Sequence, residues 1–173
     1  MQINKIYSED CVKVLKEKIK QKSVDLIYAD PPYNLSGKKL SLEKNTTGGA
    51  FYKMDEKWDT IGVKEYLQFT DEWVSGCWEV LKEGGSIYIS CSYHNIGEVI
   101  ISAKAMGFKL TNILTWYKTN TMPNITRRTF THSTEYICWF VKGKNWKFTD
   151  SEIKKIIPIK TKTGNLRQGR DLI

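Results

Sequence analysis

The first hundred residues of this 173-residue chain contain no arginine. All four arginines, Arg127, Arg128, Arg167 and Arg170, lie beyond them. Histidine is nearly as scarce, with His94 and His132 alone. The four cysteines, Cys11, Cys77, Cys91 and Cys138, are widely scattered and form no C-x-x-C pair. Those scarcities exclude the familiar zinc-ligand spacings and a disulfide framework, and the thiols read as small core residues of a reducing compartment. No apolar run approaches the roughly 18 residues that a membrane-spanning helix needs. The opening Met1-Gln2-Ile3-Asn4-Lys5 lacks the apolar stretch of a signal peptide. A cytoplasmic protein with no metal centre and no membrane partner is expected.

What is present is an ordinary globular composition, 40% hydrophobic, in a chain long enough for one domain with a sizeable core. The net charge of +8 is unevenly spread. Residues 1–100 hold 13 lysines against 15 acids, whereas residues 101–173 hold 10 lysines and four arginines against four acids. The first part is therefore at −2 and the second at +10. A polyanion held mainly by the second part fits this asymmetry, and a solvated basic face is the plainer alternative.

Along the chain, Ile3–Tyr7 reads as a short strand. Asp10 to about Lys20 reads as a helix, with Val12, Leu15 and Ile19 at helical spacing and Ser8 available as its cap. Val24–Ala29 is a strand. Residues 34–62 form a long polar loop, of the kind that is functional when it is ordered. Lys64–Lys82 is a helix with Tyr66, Phe69, Trp73, Cys77 and Leu81 on one face, ended by Gly84-Gly85. Ser86–Ser92 is a strand and Asn95–Met106 a helix, followed by the strands Lys109–Tyr117 and Thr134–Val141 with a basic loop between them. This order predicts an α/β domain whose sheet is mostly parallel, with an antiparallel pair toward the C-terminal end. Ligands of such sheets gather at the carboxyl ends of the strands.

At one such end stands Asp30-Pro31-Pro32-Tyr33. Two prolines remove two N–H donors and fix φ, which makes the turn stiff and rich in acceptors. A carboxylate and carbonyls beside a flat ring suit a planar group that carries an NH2, such as adenine or cytosine.

The strand with D-P-P-Y resembles the catalytic motif of S-adenosylmethionine-dependent DNA amino-methyltransferases, and further segments resemble the β-class adenine-N6 enzymes. These are Ser8-Glu9-Asp10-Cys11, Ser23 to Leu35, and Trp73 to Ile89. Trp116-Tyr117-Lys118-Thr119-Asn120-Thr121-Met122-Pro123-Asn124 and Arg127 to Glu135 complete the likeness. It covers about residues 3–145. Asp rather than Ser at the first motif position favours adenine over cytosine.

The resemblance implies an incomplete Rossmann-like methyltransferase fold that methylates the N6 amine of adenine in double-stranded DNA after base flipping. DNA methylation of this kind implies a restriction-modification setting. The implied catalytic residues are Asp30, Pro31, Pro32 and Tyr33. Asp10, Cys11 and Asp30 are implied for S-adenosylmethionine, and Lys118, Asn120, Asn124, Arg127 and Arg128 for DNA. Asp10 also reads as an ordinary residue near a helix start. Phe51 and Trp58 are candidate lid or intercalating aromatics, or equally anchors of the long loop on the core, and no chemistry is assigned to His94 or His132.

The family's F-x-G-x-G-like cofactor loop is absent; Gly48-Gly49 and Gly84-Gly85 sit in other contexts. Residues 1–150 are therefore expected to be the catalytic-motif part of a methyltransferase domain, and 151–173 a basic tail leading toward a further segment. Strands belonging beside the Asp30 strand would be missing, and a C-terminal segment or partner chain would complete the fold. The other expectation is a catalytically incomplete DNA-binding or assembly subunit.

Overall fold

The computed structural model describes residues 4–34, 41–42, 51–52, 62–121, 128–151 and 162–163. Its elements are α1 (Cys11–Glu17), β1 (Val24–Ala29), β2 (Ser41–Leu42), β3 (Phe51–Tyr52), α2 (Val63–Val80), β4 (Leu81–Cys91), α3 (Ile96–Ala105), β5 (Lys109–Tyr117) and β6 (Thr134–Val141). The main sheet has the order β1-β4-β6-β5. The pair β1–β4 is parallel, and β6 runs antiparallel to both β4 and β5. Three strands thus share a direction and β6 alone is reversed, which is the mixed, mostly parallel sheet expected. The carboxyl ends of β1, β4 and β5 lie together at one end, and β6 enters from that end.

Alternation along the strands divides the sheet. Ile27 pairs with Ile87, Ile87 with Phe140, and Ile89 with Cys138. These join Val12, Trp73, Val74, Cys77, Val99 and Ala103 from the three helices in one core. On the residues between them, Tyr88 stacks on Trp139 at 5.5 Å and Trp139 on Phe148 at 5.4 Å. Period-two alternation sends Tyr88 and Trp139 to the opposite face, where Phe148 stacks on Trp139 from outside the sheet.

Several expectations need correction. Ile3–Tyr7 is not a strand among its described residues: Asn4 has φ +57, which breaks an extended run, and Ile6 is 94% exposed. The cap of α1 is Asp10 rather than Ser8, and its Oδ1 accepts the Lys13 N–H at 2.9 Å. The helix ends at Glu17, before Lys20. α2 ends at Val80, not at the Gly pair, because Leu81 is already extended at ψ 136. Gly84 instead serves an irregularity in β4, where the register jumps from Val24↔Leu81 to Leu26↔Ser86. Its φ of +78 suits glycine, and its N–H donates to the Lys142 carbonyl at 2.8 Å. The expected loop 34–62 contains β2 and β3, which pair antiparallel over two residues each, too short to show as periodicity.

Candidate active site

β1 leaves the sheet as Asp30-Pro31-Pro32-Tyr33, with the carboxylate residue exposed and the next three half-buried. The turn is held from two sides. The Tyr33 hydroxyl donates to Asp30 Oδ1 at 3.0 Å. The Tyr66 hydroxyl, from the first turns of α2, donates to the Pro32 carbonyl at 2.8 Å. Asn95, fully buried at the start of α3, donates from Nδ2 to that same Tyr66 oxygen at 3.0 Å and accepts the Ser92 N–H at 2.8 Å. A chain of hydrogen bonds therefore runs from the β4–α3 turn through α2 to the prolines. Buried polar groups of this kind are costly to leave unpaired, so the chain fixes the turn as well as satisfying itself.

Electrostatics follow from the packing. Burial is the largest influence that pushes the Tyr33 phenol above its ordinary range, followed by the hydrogen bond to Asp30 and the charges of Asp30 and Glu135. The Tyr66 phenol is also raised, mainly by burial. The Cys11 thiol is raised by partial burial and by Asp10 beside it.

A cleft of about 460 Å³ lies between α1, the exit of β1 and α2. Glu9, Cys11, Asp30, Pro31, Phe69 and Trp73 are among its walls. Trp73 is 4% exposed, and among the described residues its Nε1–H has no hydrogen-bond partner. An orphaned buried donor in a cleft wall fits an acceptor on a bound molecule. Glu9 forms an ion pair with Lys18.

Asp30, Pro31, Pro32 and Cys11 are brought together at this cleft, whereas Asp10 is not part of its wall and caps α1. The basic segment lies at the same end of the sheet. Lys118 follows β5 directly, but its Nζ is paired with Glu135, and its N–H donates to the Ser133 carbonyl at 2.7 Å. Asn120 and Arg128 are exposed. Asn124 and Arg127 lie outside the described residues, as does Trp58; Phe51 is in β3.

Sequence reasoning missed Glu9, Tyr66, Asn95 and Glu135 as parts of this region. Tyr66 stood out only as one aromatic of a helical stripe. Asn95 had no signal beyond its place at a helix start.

The fold has close likenesses among solved structures. PvuII DNA methyltransferase (cytosine-N4-specific) aligns with 96% of this chain and 55% of its own at TM-score 0.64 and 17% identity. The M1.HpyAVI-SAM complex aligns with 84% of this chain and 57% of its own at TM-score 0.53 and 23% identity. The class is therefore the Rossmann-like methyltransferase fold. Residues 24–169 match the N6_N4_Mtase family, DNA methylase, and the chain belongs to that family. Among curated relatives, the type II methyltransferase M2.DpnII of Streptococcus pneumoniae is 44% identical over 128 residues, 73% of this chain and 46% of that protein. The type II methyltransferase M.HinfI of Haemophilus influenzae is 36% identical over 148 residues, 85% of this chain and 40% of that protein. The chain thus spans somewhat less than half the length of these relatives. Among the described residues no helix is long and apolar enough to cross a membrane.

Proposed function

We propose that this domain serves transfer of a methyl group from S-adenosylmethionine to the N6 amine of adenine in double-stranded DNA, by direct in-line attack on a base turned out of the duplex. The observation that carries the reading is the tethered carboxylate of Asp30 in its two-proline turn, within a chain of the DNA methylase family. The names of the curated relatives, type II methyltransferases, support a restriction-modification setting, and the cytoplasm is the compartment this reading assigns.

An aromatic amine is a poor nucleophile because its lone pair is delocalised into the ring. Tyr33 occupies Oδ1 of Asp30, and Tyr66 occupies the Pro32 carbonyl. Oδ2 of Asp30 and the Pro31 carbonyl are the acceptors this reading assigns to the NH2 group. Two such hydrogen bonds hold the nitrogen toward tetrahedral geometry and aim its lone pair, so the contribution is positioning and electrostatics. The Tyr33 ring stacks on the target base, which must leave the duplex to reach it.

S-adenosylmethionine, when bound, supplies a methyl group on a positively charged sulfur. The acids Glu9 and Asp30, the Cys11 thiol and the orphaned Trp73 N–H of the cleft fit a cationic, polar nucleoside. Asp10 caps α1 beside the cleft, outside its wall, and this reading keeps it as a cofactor contact through the oxygen that the Lys13 N–H leaves open, reached at the rim beside Glu9 and Cys11. For DNA, Asn120, Asn124, Arg127 and Arg128 are the assigned contacts, with Lys118 contributing a charge that Glu135 partly neutralises.

Within this proposal residues 1–150 form the catalytic-motif part and 151–173 a basic tail. Among the described residues β1 is paired on one side only, with Leu26 and Tyr28 59% and 63% exposed. That edge is assigned to further strands, from the same polypeptide or a partner chain, because an edge strand presents a row of unpaired N–H and C=O groups ready to pair.

The deciding experiment is methyl transfer by full-length protein carrying Asp30→Ala. Turnover should fall by roughly 10²–10³, as for loss of one preorganised polar group elsewhere, while most duplex affinity remains. Near-wild-type turnover would overturn the reading.

A further inference from the structure

Tyr93 lies in the turn between β4 and α3, and its ring is flanked by two imidazoles. Its centroid is 3.9 Å from that of His94, at an interplanar angle of 35°, and 4.1 Å from that of His132, at 12°. Two rings that close cannot share one face of a phenol, so His94, Tyr93 and His132 form a column with the phenol at its centre. His94 and Tyr93 come from one turn, and His132 from the segment that enters β6.

The column has a fixed relation to the active site. Ala29 at the exit of β1 pairs with Ile89 of β4, and Cys91 pairs with Tyr136 of β6, so Ser90 and Glu135 lie at the end of the sheet where Asp30-Pro31-Pro32-Tyr33 leaves it. Tyr93 and His132 each stand three residues beyond them, past the last β4–β6 pair at Cys91↔Tyr136. The column therefore bridges the two strands at the end of the sheet that carries Tyr33. Its turn is tied to the catalytic turn through Ser92, Asn95, Tyr66 and Pro32. The His94 N–H donates to Ser92 Oγ at 3.2 Å. His132 is exposed, Tyr93 is 47% exposed, and Arg128, four residues before His132, is exposed as well.

We propose that the outer face of His132 is a stacking platform for an unstacked nucleobase of the DNA, beside the base that Tyr33 receives. The proposal rests on the methylation reading above. A ring already stacked on its partner is preorganised, so a base can extend the column with little loss of side-chain freedom. Arg128, exposed four residues before His132, is the cation available for the attached phosphates. The same chemistry is offered by the adenine of the cofactor, and the test separates the two sources.

The test measures duplex DNA and S-adenosylmethionine affinities of full-length wild type, His132→Ala, His132→Phe and Tyr93→Ala, together with methyl transfer. The duplexes carry 2-aminopurine beside the target adenine, whose fluorescence reports stacking. His132→Ala should weaken DNA binding about tenfold and leave the probe bright, with cofactor affinity unchanged. His132→Phe should restore both affinity and quenching, which a merely structural role would not require. Tyr93→Ala should behave like His132→Ala, because the platform loses its support. Undiminished DNA affinity in His132→Ala, equal damage by Phe, or a loss confined to the cofactor would overturn the platform. If wild type itself failed to bind or methylate DNA, the methylation reading would fall and the platform with it. An active wild type beside an indifferent His132→Ala removes the platform alone.

Discussion

The Tyr33 hydroxyl donates to Oδ1 of Asp30 at 3.0 Å, across a turn of four residues. The ring therefore has two tasks, to face a base and to hold the carboxylate. Tyr33→Phe keeps the first and loses the second. Its turnover should fall about tenfold, since a hydrogen bond to a charged group is worth roughly 1.5–3 kcal/mol, with duplex affinity nearly unchanged. Tyr33→Ala should lower affinity as well, stacking being worth about 1–3 kcal/mol per base. Steady-state kinetics with separate DNA titrations distinguish them. Equal affinity losses in the two variants would remove the stacking role.

The same contact has a pH signature. Burial, the Asp30 hydrogen bond and nearby negative charge raise the folded-state Tyr33 phenol. A group raised on folding contributes stability that is full below its unfolded value, about 10 for tyrosine. That contribution fades as pH climbs through the folded value. An absorbance titration of wild type minus Tyr33→Phe should show one phenol ionising later than an ordinary tyrosine. A difference curve centred at the ordinary value would refute the contact.

Tyr66→Phe removes the donor to the Pro32 carbonyl and the acceptor of Asn95 Nδ2. A buried group left unpaired costs roughly 1–3 kcal/mol. Urea unfolding should register that loss, and turnover should fall in excess of any change in DNA affinity. An unchanged midpoint together with unchanged turnover would show the chain of hydrogen bonds to be idle.

Cys11 is the exposed member of four free thiols; Cys77, Cys91 and Cys138 are buried. Burial pushes Cys77 up to about 12, and its hydrogen bond with Cys138 raises Cys91 further. Ellman's reagent should label one thiol of the native protein, slowly near neutrality and faster as pH rises. Saturating S-adenosylmethionine should protect it, because Cys11 lines the cleft. Labelling indifferent to the cofactor would take Cys11 out of that site.

Arg128 and Lys118 should differ in DNA binding. Each lost phosphate contact flattens the log-affinity against log-salt slope by about 0.9. Arg128→Ala should show the full effect and Lys118→Ala less, because Lys118 is paired with Glu135. Glu135→Gln should steepen the slope by freeing that cation. Titrations at several salt concentrations decide the order; an equal or larger effect of Lys118→Ala would mean that DNA displaces Glu135.

Local chemistry in the chain determined its elements. Val24–Ala29, Lys109–Tyr117 and Thr134–Val141 were readable because apolar and β-branched residues run between turn signals, and the structure has these three boundaries. α2 and α3 followed from helical spacing. The Asp30-Pro31-Pro32-Tyr33 turn was legible too, since two prolines restrict the backbone without help from the rest of the fold. Tertiary structure alone decided what meets that turn. Tyr66 is 34 residues from Pro32 and Asn95 is 29 from Tyr66, separations at which no sequence periodicity can signal a hydrogen bond. Glu135 is 17 residues from Lys118, and only the pairing of β5 with β6 set the two against each other as an ion pair. Ile3–Tyr7 had the look of a strand, but its described residues, 4–7, pair with no strand among the described residues, because a strand exists only where a neighbour supplies the other half of its hydrogen bonds.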